Sequence, residues 1–419
     1  MKICGIISEY NPFHTGHAHQ IAQTRTRLGE DCAIVCVMSG NFVQRGEPAV
    51  FAKHARAEAA VRGGADLVLE LPLPWALSSA EGFARGGVGM LGALGCVTHI
   101  SFGSECGELE RLRAAAEVLL DPRMDELIRE ELQGGAPYAA ARQRAAERLA
   151  GAQLRELSEP NNLLGVEYLK ALIQQDLDIT PITVQRAGAA HDGSGDAGGH
   201  PSAAQLRDAL RRGESIREKI PPEAYAVFER ELEQGRGPVG PEALEMALLS
   251  RLRFLKPENF AALPGASEGV ENLLFRAAQT EPTLDAVVSA AKSRRYALSR
   301  LRRMTMCAAL GVTASDSDGR PPYLRVLAAN SRGTEVLRAA AATAYVPVLT
   351  RPADVKNLDD RARRTFDLEA AATDLFTLGF SAEDERRGGR DWRSSPMILK
   401  PEDLAPAPRR GFFSKCRKK

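Results

Sequence analysis

Two histidines near the start of the chain have the type and spacing of a phosphate-binding site. His14 and His17 are three positions apart, so both lie on one side of the first turn if a helix begins there. Amide groups at a helix N-terminus attract phosphate, and two imidazoles beside them can donate hydrogen bonds to phosphate oxygens as charge builds in a transition state. Gly16 leaves room for a ligand against the backbone. Three of the seven histidines fall between positions 14 and 19, which favours a phosphate site over ordinary histidines near a turn.

A second phosphate contact is predicted further along the chain, at Ser202 and Arg207. Ser202 precedes a helical pattern, so its hydroxyl can cap the helix and donate to a phosphate. Arg207 can bind phosphate oxygens through two N–H groups and stabilise a leaving pyrophosphate. Alone, the two residues would be an N-cap and a solvated arginine. Their position at the same end of the domain as His14 and His17 favours the functional interpretation.

The elements that must position these residues alternate between strand and helix patterns. Short apolar runs predict strands at residues 2–8, 32–38, 66–71, 98–102 and 182–184, with helices at 16–27, 53–62, 80–94, 109–120 and 162–174. This alternation predicts an α/β fold with a Rossmann-like, doubly wound parallel sheet. In such sheets a ligand binds beyond the carboxyl ends of the strands, which is where the histidines fall.

Other polar residues come at the same predicted edge. Gly103 ends the fourth strand, Asn162 opens a helix, and Arg186 follows the last strand, so each can contact a nucleotide. The loop at residues 39–48, with two glycines and a proline, also leaves a strand there and is a candidate substrate loop, because such loops often carry substrate contacts. A simple strand-ending turn, a helix cap and a structural loop are the alternative interpretations of these segments.

The pattern changes after the linker near residues 213–222. We predict an N-terminal domain at residues 1–215, a mostly helical second domain at 216–387, and a disordered basic tail at 388–419. Strand-like patches at residues 321–327 and 344–350 interrupt the helical pattern.

A basic segment in the second domain, residues 292–303, has six basic residues and no acid. If it is helical, its basic residues share one side with an aromatic ring, which suits RNA because phosphates and one stacked base can bind together. The alternative is a merely solvated helix. The predicted RNA contacts are Lys292, Arg295, Tyr296, Arg300, Arg302 and Arg303.

Composition limits the class of protein. The net charge of +1 makes any nucleic-acid surface a local patch. Seven scattered cysteines without a CxxC pair indicate a reducing cytoplasm and no structural zinc or other metal site. There is no signal-peptide pattern, and no apolar run approaches the roughly 18 residues that span a membrane.

Taken together, the motifs resemble those of the tRNA(Met) cytidine acetate ligases, a family with the HIGH-type nucleotidyltransferase signature. The resemblance extends from residue 1 to about residue 350 and rests on segments 9–17, 39–48, 102–105, 160–168, 267–272, 292–296 and 322–327. One hydroxyl of the family's Ser-Ala-Ser/Thr element is missing, because Ala204 stands there, and the stretch 193–199 is unusually rich in glycine.

The resemblance implies a two-step reaction. ATP and acetate give acetyl-adenylate and pyrophosphate, and the acetyl group then passes to the N4 amine of the wobble cytidine of elongator tRNA(Met). It implies Mg²⁺ with ATP and no acetyl-CoA, and we infer no obligate protein partner. His14, His17 and Arg207 would be catalytic. The implied ATP contacts are Ile7, Ser8, Glu9, Tyr10, Asn11, Pro12, Phe13, His14, Thr15, Gly16, His17, Ala18, His19, Gln20, Gly103, Asn162, Arg186 and Ser202.

Two other functions stay open on the sequence alone. A cofactor-synthesising adenylyltransferase would use the same histidines but needs no basic second domain. A non-catalytic, nucleotide-sensing RNA-binding protein would bind ATP without releasing pyrophosphate.

Overall fold

The computed structural model describes residues 1–134, 137–186 and 201–404. The strands are β1 (Ile3–Ser8), β2 (Ala33–Ser39), β3 (Phe42–Val43), β4 (Glu47–Pro48), β5 (Leu67–Leu71), β6 (His99–Ser104), β7 (Thr180–Gln185), β8 (Leu324–Ala329), β9 (Val348–Leu349) and β10 (Met397–Ile398). The helices are α1 (Thr15–Leu28), α2 (Lys53–Arg62), α3 (Leu73–Ala76), α4 (Ala80–Ala93), α5 (Leu109–Leu119), α6 (Met124–Gln133), α7 (Tyr138–Ala150), α8 (Pro160–Gln174), α9 (Ala203–Arg211), α10 (Pro222–Glu233), α11 (Pro241–Phe254), α12 (Pro257–Ala261), α13 (Val270–Thr280), α14 (Leu284–Ala290), α15 (Leu298–Leu310), α16 (Ser331–Thr343), α17 (Asp360–Thr377) and α18 (Pro401–Leu404).

A mostly parallel sheet forms the centre of the molecule. Its strand order is β10-β8-β5-β2-β1-β6-β7, with β9 also paired to β8. The five strands from β5 to β7 are parallel, as predicted. Every residue of β2 is buried, because helices cover both faces of the sheet. One face packs on α1, α2 and α10, and the other on α4, α8 and α16. The Rossmann-like α/β fold class is therefore confirmed.

The second half of the chain adds strands to this sheet. The sheet therefore extends across the domain boundary predicted at residue 216. Strand β8 pairs antiparallel with β5, and β9 and β10 pair with β8. Strand β8 is mostly apolar and buried along its whole length, so its backbone groups require a partner strand. It pairs with the edge of the sheet. The helices α11 to α15, with part of α17, pack around a separate apolar cluster.

The boundary drawn at residue 388 was also wrong for the first part of the tail. Asp391 is 1% exposed and Leu399 is 4% exposed, and β10 adds a parallel pair to the edge of the sheet. Buried cations hold the buried carboxylate of Asp391 in place. The Pro- and Arg-rich composition of the tail does not reveal these contacts. Residues 405–419 of the predicted tail lie outside the described part of the chain.

Candidate active site

The turn between β1 and α1 is held rigidly beneath the histidines. Tyr10 adopts a left-handed backbone conformation with φ of 46°, and the Asn11–Pro12 peptide is cis. The side-chain oxygen of Asn11 accepts a hydrogen bond from the Val50 amide at 2.8 Å. The ring of Phe13 is fully buried and packs edge-on against that of Tyr10. These contacts fix where α1 begins.

His14 and His17 form a capping box at the start of α1. Nδ1 of His14 accepts from the Gly16 amide at 3.0 Å, and Nδ1 of His17 accepts from the His14 amide at 3.2 Å. Because each Nδ1 accepts a hydrogen bond, the hydrogen of each neutral ring is on Nε2. The ring centroids are 3.8 Å apart. The pair thus presents two N–H groups with fixed tautomers at a helix N-terminus.

The electrostatic environment keeps His17 uncharged. Burial lowers the pKa of His17 well below its usual value, and the neighbouring His14 and Arg186 lower it further. The Glu9 carboxyl is affected in the opposite sense, because burial raises its pKa against the opposing effects of the Gln44 amide, Arg207 and Arg45. The Gln44 amide donates to Oε1 of Glu9 at 2.9 Å. The site therefore combines a neutral imidazole donor with a carboxyl that protonates more readily than usual.

Arg207 reaches this turn from α9. Its Nη1 donates to the carbonyl of Asn11 at 3.0 Å, and its Nη2 lies 3.3 Å from Oε1 of Glu47. Ser202 caps α9 by accepting from the Gln205 amide at 3.2 Å. Only 7% of Arg207 is exposed. The two sequence-distant motifs therefore meet at one site, as predicted.

These residues surround a cleft of about 290 Å³ at the carboxyl ends of β1 and β6. Arg45, Arg186 and Arg207 make its polar side cationic, which suits a polyphosphate. The lining residues are Ile7, Ser8, Glu9, Tyr10, Asn11, His14, His17, Gln20, Gln44, Arg45, Phe83, Phe102, Gly103, Pro160, Asn161, Leu164, Tyr168, Arg186, Ser202, Ala203, Ala204 and Arg207.

Not every residue carried over from the family lines this cleft. Asn162 is 1% exposed, and its side-chain oxygen accepts from the amides of Glu105 and Cys106 at 2.8 and 3.2 Å. It therefore holds the loop after β6, and its neighbour Asn161 lines the cleft instead, bonded to Arg186 at 3.3 Å. Six residues of the early segment shape the turn and the first helical turns without lining the cleft: Pro12, Phe13, Thr15, Gly16, Ala18 and His19.

Sequence reasoning missed the apolar wall of the cleft. Phe83 comes from α4, and Leu164 and Tyr168 come from α8, on the face of the sheet opposite α1. Their i, i+4 spacing on α8 was a usable signal, but a core-facing stripe has the same spacing. Arg45 and Gln44 come from the loop at residues 39–48, which was singled out as a candidate substrate loop.

The basic segment differs from its prediction. Helix α15 begins only at Leu298, so residues 292–297 precede it. Tyr296 is 4% exposed, and its hydroxyl donates to the carbonyl of Glu268 at 2.9 Å. The prediction that Tyr296 stacks on a base was therefore wrong, because its ring belongs to the core of the helical region. Lys292, Arg295 and Arg302 are exposed, as an RNA-binding surface requires.

The two other predicted RNA contacts line a second cavity, of about 310 Å³, between α4 and α15. Arg300 donates to Ser267 at 3.0 Å and lies over the ring of Tyr296. Arg303 has no ion pair within the described residues, and burial lowers its pKa. Arg85 and the carboxylate of Glu81 also line this cavity.

Metal-binding clusters and membrane-spanning helices are both absent from the described residues. Residues 1–134, 137–186 and 201–404 hold no group of three or more His, Cys, Asp or Glu side chains placed to bind a metal ion. No helix in that same part of the chain has the length and apolar character to cross a membrane.

Known proteins with similar sequence and structure agree with this arrangement. The family described as HIGH Nucleotidyl Transferase matches residues 1–391. A tRNA(Met) cytidine acetate ligase from Acetivibrio thermocellus is 35% identical over 95% of this chain and 100% of its own length. The crystal structure of apo Thermotoga maritima TmcAL superposes with a TM-score of 0.90 at 32% identity, covering 96% of this chain and 100% of the other. TmcAL bound with α-thio ATP superposes at 0.88 and 33% identity, with the same coverage. The chain belongs to the tRNA(Met) cytidine acetate ligase family of HIGH nucleotidyltransferases.

Proposed function

We propose that this chain is an ATP-dependent ligase that activates acetate as acetyl-adenylate and acetylates the N4 amine of the wobble cytidine of elongator tRNA(Met). The observation that carries the proposal is the pair of imidazoles with fixed tautomers on the first turn of α1, in one cleft with Arg207. The names of the relatives support the choice of tRNA. The α-thio ATP complex of the Thermotoga maritima protein supports ATP.

In the first step, a carboxylate oxygen of acetate bonds to the α-phosphorus of ATP. The P–O bond to the bridging oxygen breaks and pyrophosphate leaves. His14 and His17 donate from Nε2 to phosphate oxygens whose charge grows in the transition state, and Arg207 binds the departing pyrophosphate. We expect Mg²⁺ to enter with ATP as part of the substrate, and acetyl-CoA not to be used.

The second step transfers the acetyl group. The N4 amine attacks the carbonyl carbon of acetyl-adenylate, a C–N bond forms, the C–O bond to AMP breaks, and N4 loses a proton. Glu9 is the carboxylate of the cleft, with one oxygen held by the Gln44 amide. We assign it to accept this proton, because a carboxyl with a raised pKa is a better base near neutral pH than an ordinary one.

The tRNA would bind along the start of α15. Lys292, Arg295 and Arg302 are exposed and offer phosphate contacts. Arg303, which is largely buried and has no ion pair within the described residues, suits a backbone phosphate reaching the second cavity beside Arg300.

The loop that lines the cleft packs directly against α15, the helix that carries part of this basic surface. Gly46, with φ of 76°, follows Arg45 in the loop that lines the cleft. A Cβ at Gly46 would lie 2.7 Å from backbone atoms of Arg302 and Arg303. Only glycine therefore allows this turn to pack on α15, and a tRNA bound on α15 would lie beside the substrate loop.

The test follows labelled acetate through both half-reactions. Purified protein is incubated with ATP, Mg²⁺ and labelled acetate, with and without bulk bacterial tRNA. We expect acetate-dependent pyrophosphate release, and label recovered as N4-acetylcytidine only when tRNA is present. His17→Ala should abolish adenylate formation while tRNA binding persists, and His99→Ala, at the start of β6, serves as the histidine control.

Two results would contradict the proposal. ATP binding without acetate-dependent chemistry would favour the nucleotide-sensing protein. Adenylyl transfer to a phosphorylated cofactor precursor, with no label in tRNA, would favour the cofactor-synthesising adenylyltransferase.

We propose the cytoplasm as the compartment, supported by six described cysteines that are free thiols, and we expect no obligate protein partner.

A further inference from the structure

The nucleotide cleft has two chemically different walls on opposite faces of the sheet. The polar wall contains His14 and His17 at the start of α1, and Arg207 from α9. Side chains beneath it, such as Ile21 and Leu206, belong to the apolar cluster on that face. The second wall belongs to the other face, where α4 and α8 pack. Its apolar side chains are Ile7, Phe83, Phe102, Leu164 and Tyr168.

Tyr168 carries an unsatisfied polar group into this apolar wall. The residue is 2% exposed, and its hydroxyl has no hydrogen-bond partner among the described residues. Burial, followed by the charge of Glu9, raises the pKa of Tyr168, so the group remains a hydroxyl and a donor. A buried hydroxyl without a partner is costly, and because Tyr168 lines the cleft, a ligand bound there can supply the missing partner.

The chemistry of the first step assigns a ligand to each wall. Displacement at the α-phosphorus requires the attacking oxygen and the departing pyrophosphate on opposite sides of that atom. The cationic wall at α1 and α9 is suited to pyrophosphate. The attacking acid must then approach from the wall formed by α4 and α8. This wall can bury the methyl group of acetate and offers the Tyr168 hydroxyl as a donor.

We propose that the wall formed by Phe83, Phe102, Leu164 and Tyr168 is the binding pocket for the small carboxylic acid. The Tyr168 hydroxyl donates to one carboxylate oxygen, while the other oxygen forms the bond to α-phosphorus as pyrophosphate leaves with the bridging-bond electrons. No proton moves in this step. The methyl group packs against Phe83 and Leu164, and their bulk excludes longer acids.

This pocket rests on the proposed function, because it needs acid-dependent adenylation. The experiment measures ATP–pyrophosphate exchange driven by acetate, propionate or butyrate, together with the Kd for ATP. Tyr168→Phe should raise the KM for acetate about tenfold or more and leave the Kd for ATP unchanged. Leu164→Ala should shift the kcat/KM ratio of propionate to acetate about 10- to 200-fold, the range expected for one methylene in an apolar pocket.

A matched control is available in Tyr323→Phe. Tyr323 is a second fully buried tyrosine whose hydroxyl has no partner in the described residues, and it lies beside Phe366 and outside the cleft. We expect this variant to keep the wild-type KM for acetate. Leu164→Val serves as a second, milder variant that should shift acid preference in the same direction if Leu164→Ala does not fold.

The possible failures are distinguishable. Variants that weaken ATP binding but keep the acid preference would place the adenosine against this wall and overturn the pocket alone. Unchanged KM and acid preference in Tyr168→Phe and Leu164→Ala would also overturn it. If no carboxylic acid supports ATP–pyrophosphate exchange by the wild-type protein, the proposed function is overturned, and the pocket with it.

Discussion

His14 and His17 constrain each other through the backbone, so their chemical roles depend on one nitrogen atom each. Both Nδ1 atoms accept amide hydrogens at the start of α1, which leaves Nε2 as the donor. The Gln side chain can place an amide nitrogen near the Nε2 position of histidine, whereas Asn reaches only the Nδ1 position. This difference separates a capping role from a phosphate-binding role.

We expect His17→Gln to retain more acetate-dependent ATP–pyrophosphate exchange than His17→Asn. The Asn variant removes a donor to the transition state and should lose about 100- to 1,000-fold in kcat. Thermal unfolding of both variants checks the cap, and His99→Gln is the control for a histidine outside the cleft. An Asn variant as active as the wild-type protein would show that His17 acts only as a cap.

The raised pKa of Glu9 predicts different pH profiles for the two steps. Its base form predominates only above that raised pKa, so acetyl transfer to tRNA should rise with pH through it, while adenylate formation should not follow this profile. Single-turnover transfer from pre-formed adenylate, measured from pH 5 to 8, checks this. Glu9→Gln should remove the pH-dependent rise and slow transfer more than adenylation. Equal losses in both steps would assign Glu9 to ATP binding instead.

At this residue scale, the sequence predicted which side chains carry the chemistry better than it predicted which way a side chain faces. His14, His17 and Arg207 carry their roles in their side-chain type, and the structure brings them together. Asn161 and Asn162 are adjacent on the first turn of α8, so about 100° of helix rotation decides which one lines the cleft. That rotation is set by the packing of α8 on α4 and α5, which depends on distant parts of the chain.

Among the elements, α15 shows how a correct charge pattern can accompany a wrong geometry. Counting from Lys292 placed Tyr296 on the basic side, but the helix begins at Leu298 and Tyr296 is buried. The predicted strands were recovered because a fully buried strand has an unmistakable apolar run, as β2 does. The antiparallel pairing of β8 with β5 could not be predicted, because it depends on two segments more than 250 residues apart.

The exposed cations around α15 predict salt-dependent tRNA binding. Arg295→Glu combined with Arg302→Glu should weaken tRNA binding and lower the slope of log Kd against log salt by about 1 to 2, because two phosphate contacts are lost. Acetate-dependent pyrophosphate release should persist. The matched control is Arg123→Glu with Arg351→Glu, since both side chains are at least 70% exposed and lie outside α15. An unchanged slope in the first pair would remove this surface from the tRNA site.

Across the whole molecule, a buried charge network joins both halves of the chain behind the cleft. Lys53 lies 2.6 Å from both Glu70 and Asp391, and Arg325 lies 2.9 Å from Asp391. Burial alone would raise the pKa of Asp391, yet these two cations hold it below its usual range. The same lysine is adjacent to the substrate loop, because its amide donates to Asn41 at 2.8 Å. Residues near the C-terminal end therefore support the loop that lines the active site.

This network predicts where the chain can be shortened. Ending it after residue 404 keeps Asp391, Leu399 and β10, so the unfolding midpoint should stay near that of the full chain. Ending it after residue 387 removes Asp391, one of the two carboxylates paired with both Lys53 and Arg325, together with β10, and should abolish the cooperative fold. Asp391→Asn isolates the charge and should cost about 3–5 kcal/mol, since it removes one carboxylate of a buried ion-pair network and leaves Glu70 between two cations. Asp384→Asn, whose side chain is fully exposed, is the control. Urea unfolding at pH 7 measures all four, and a stable chain ending at residue 387 would show that the C-terminal segment only rests on the fold.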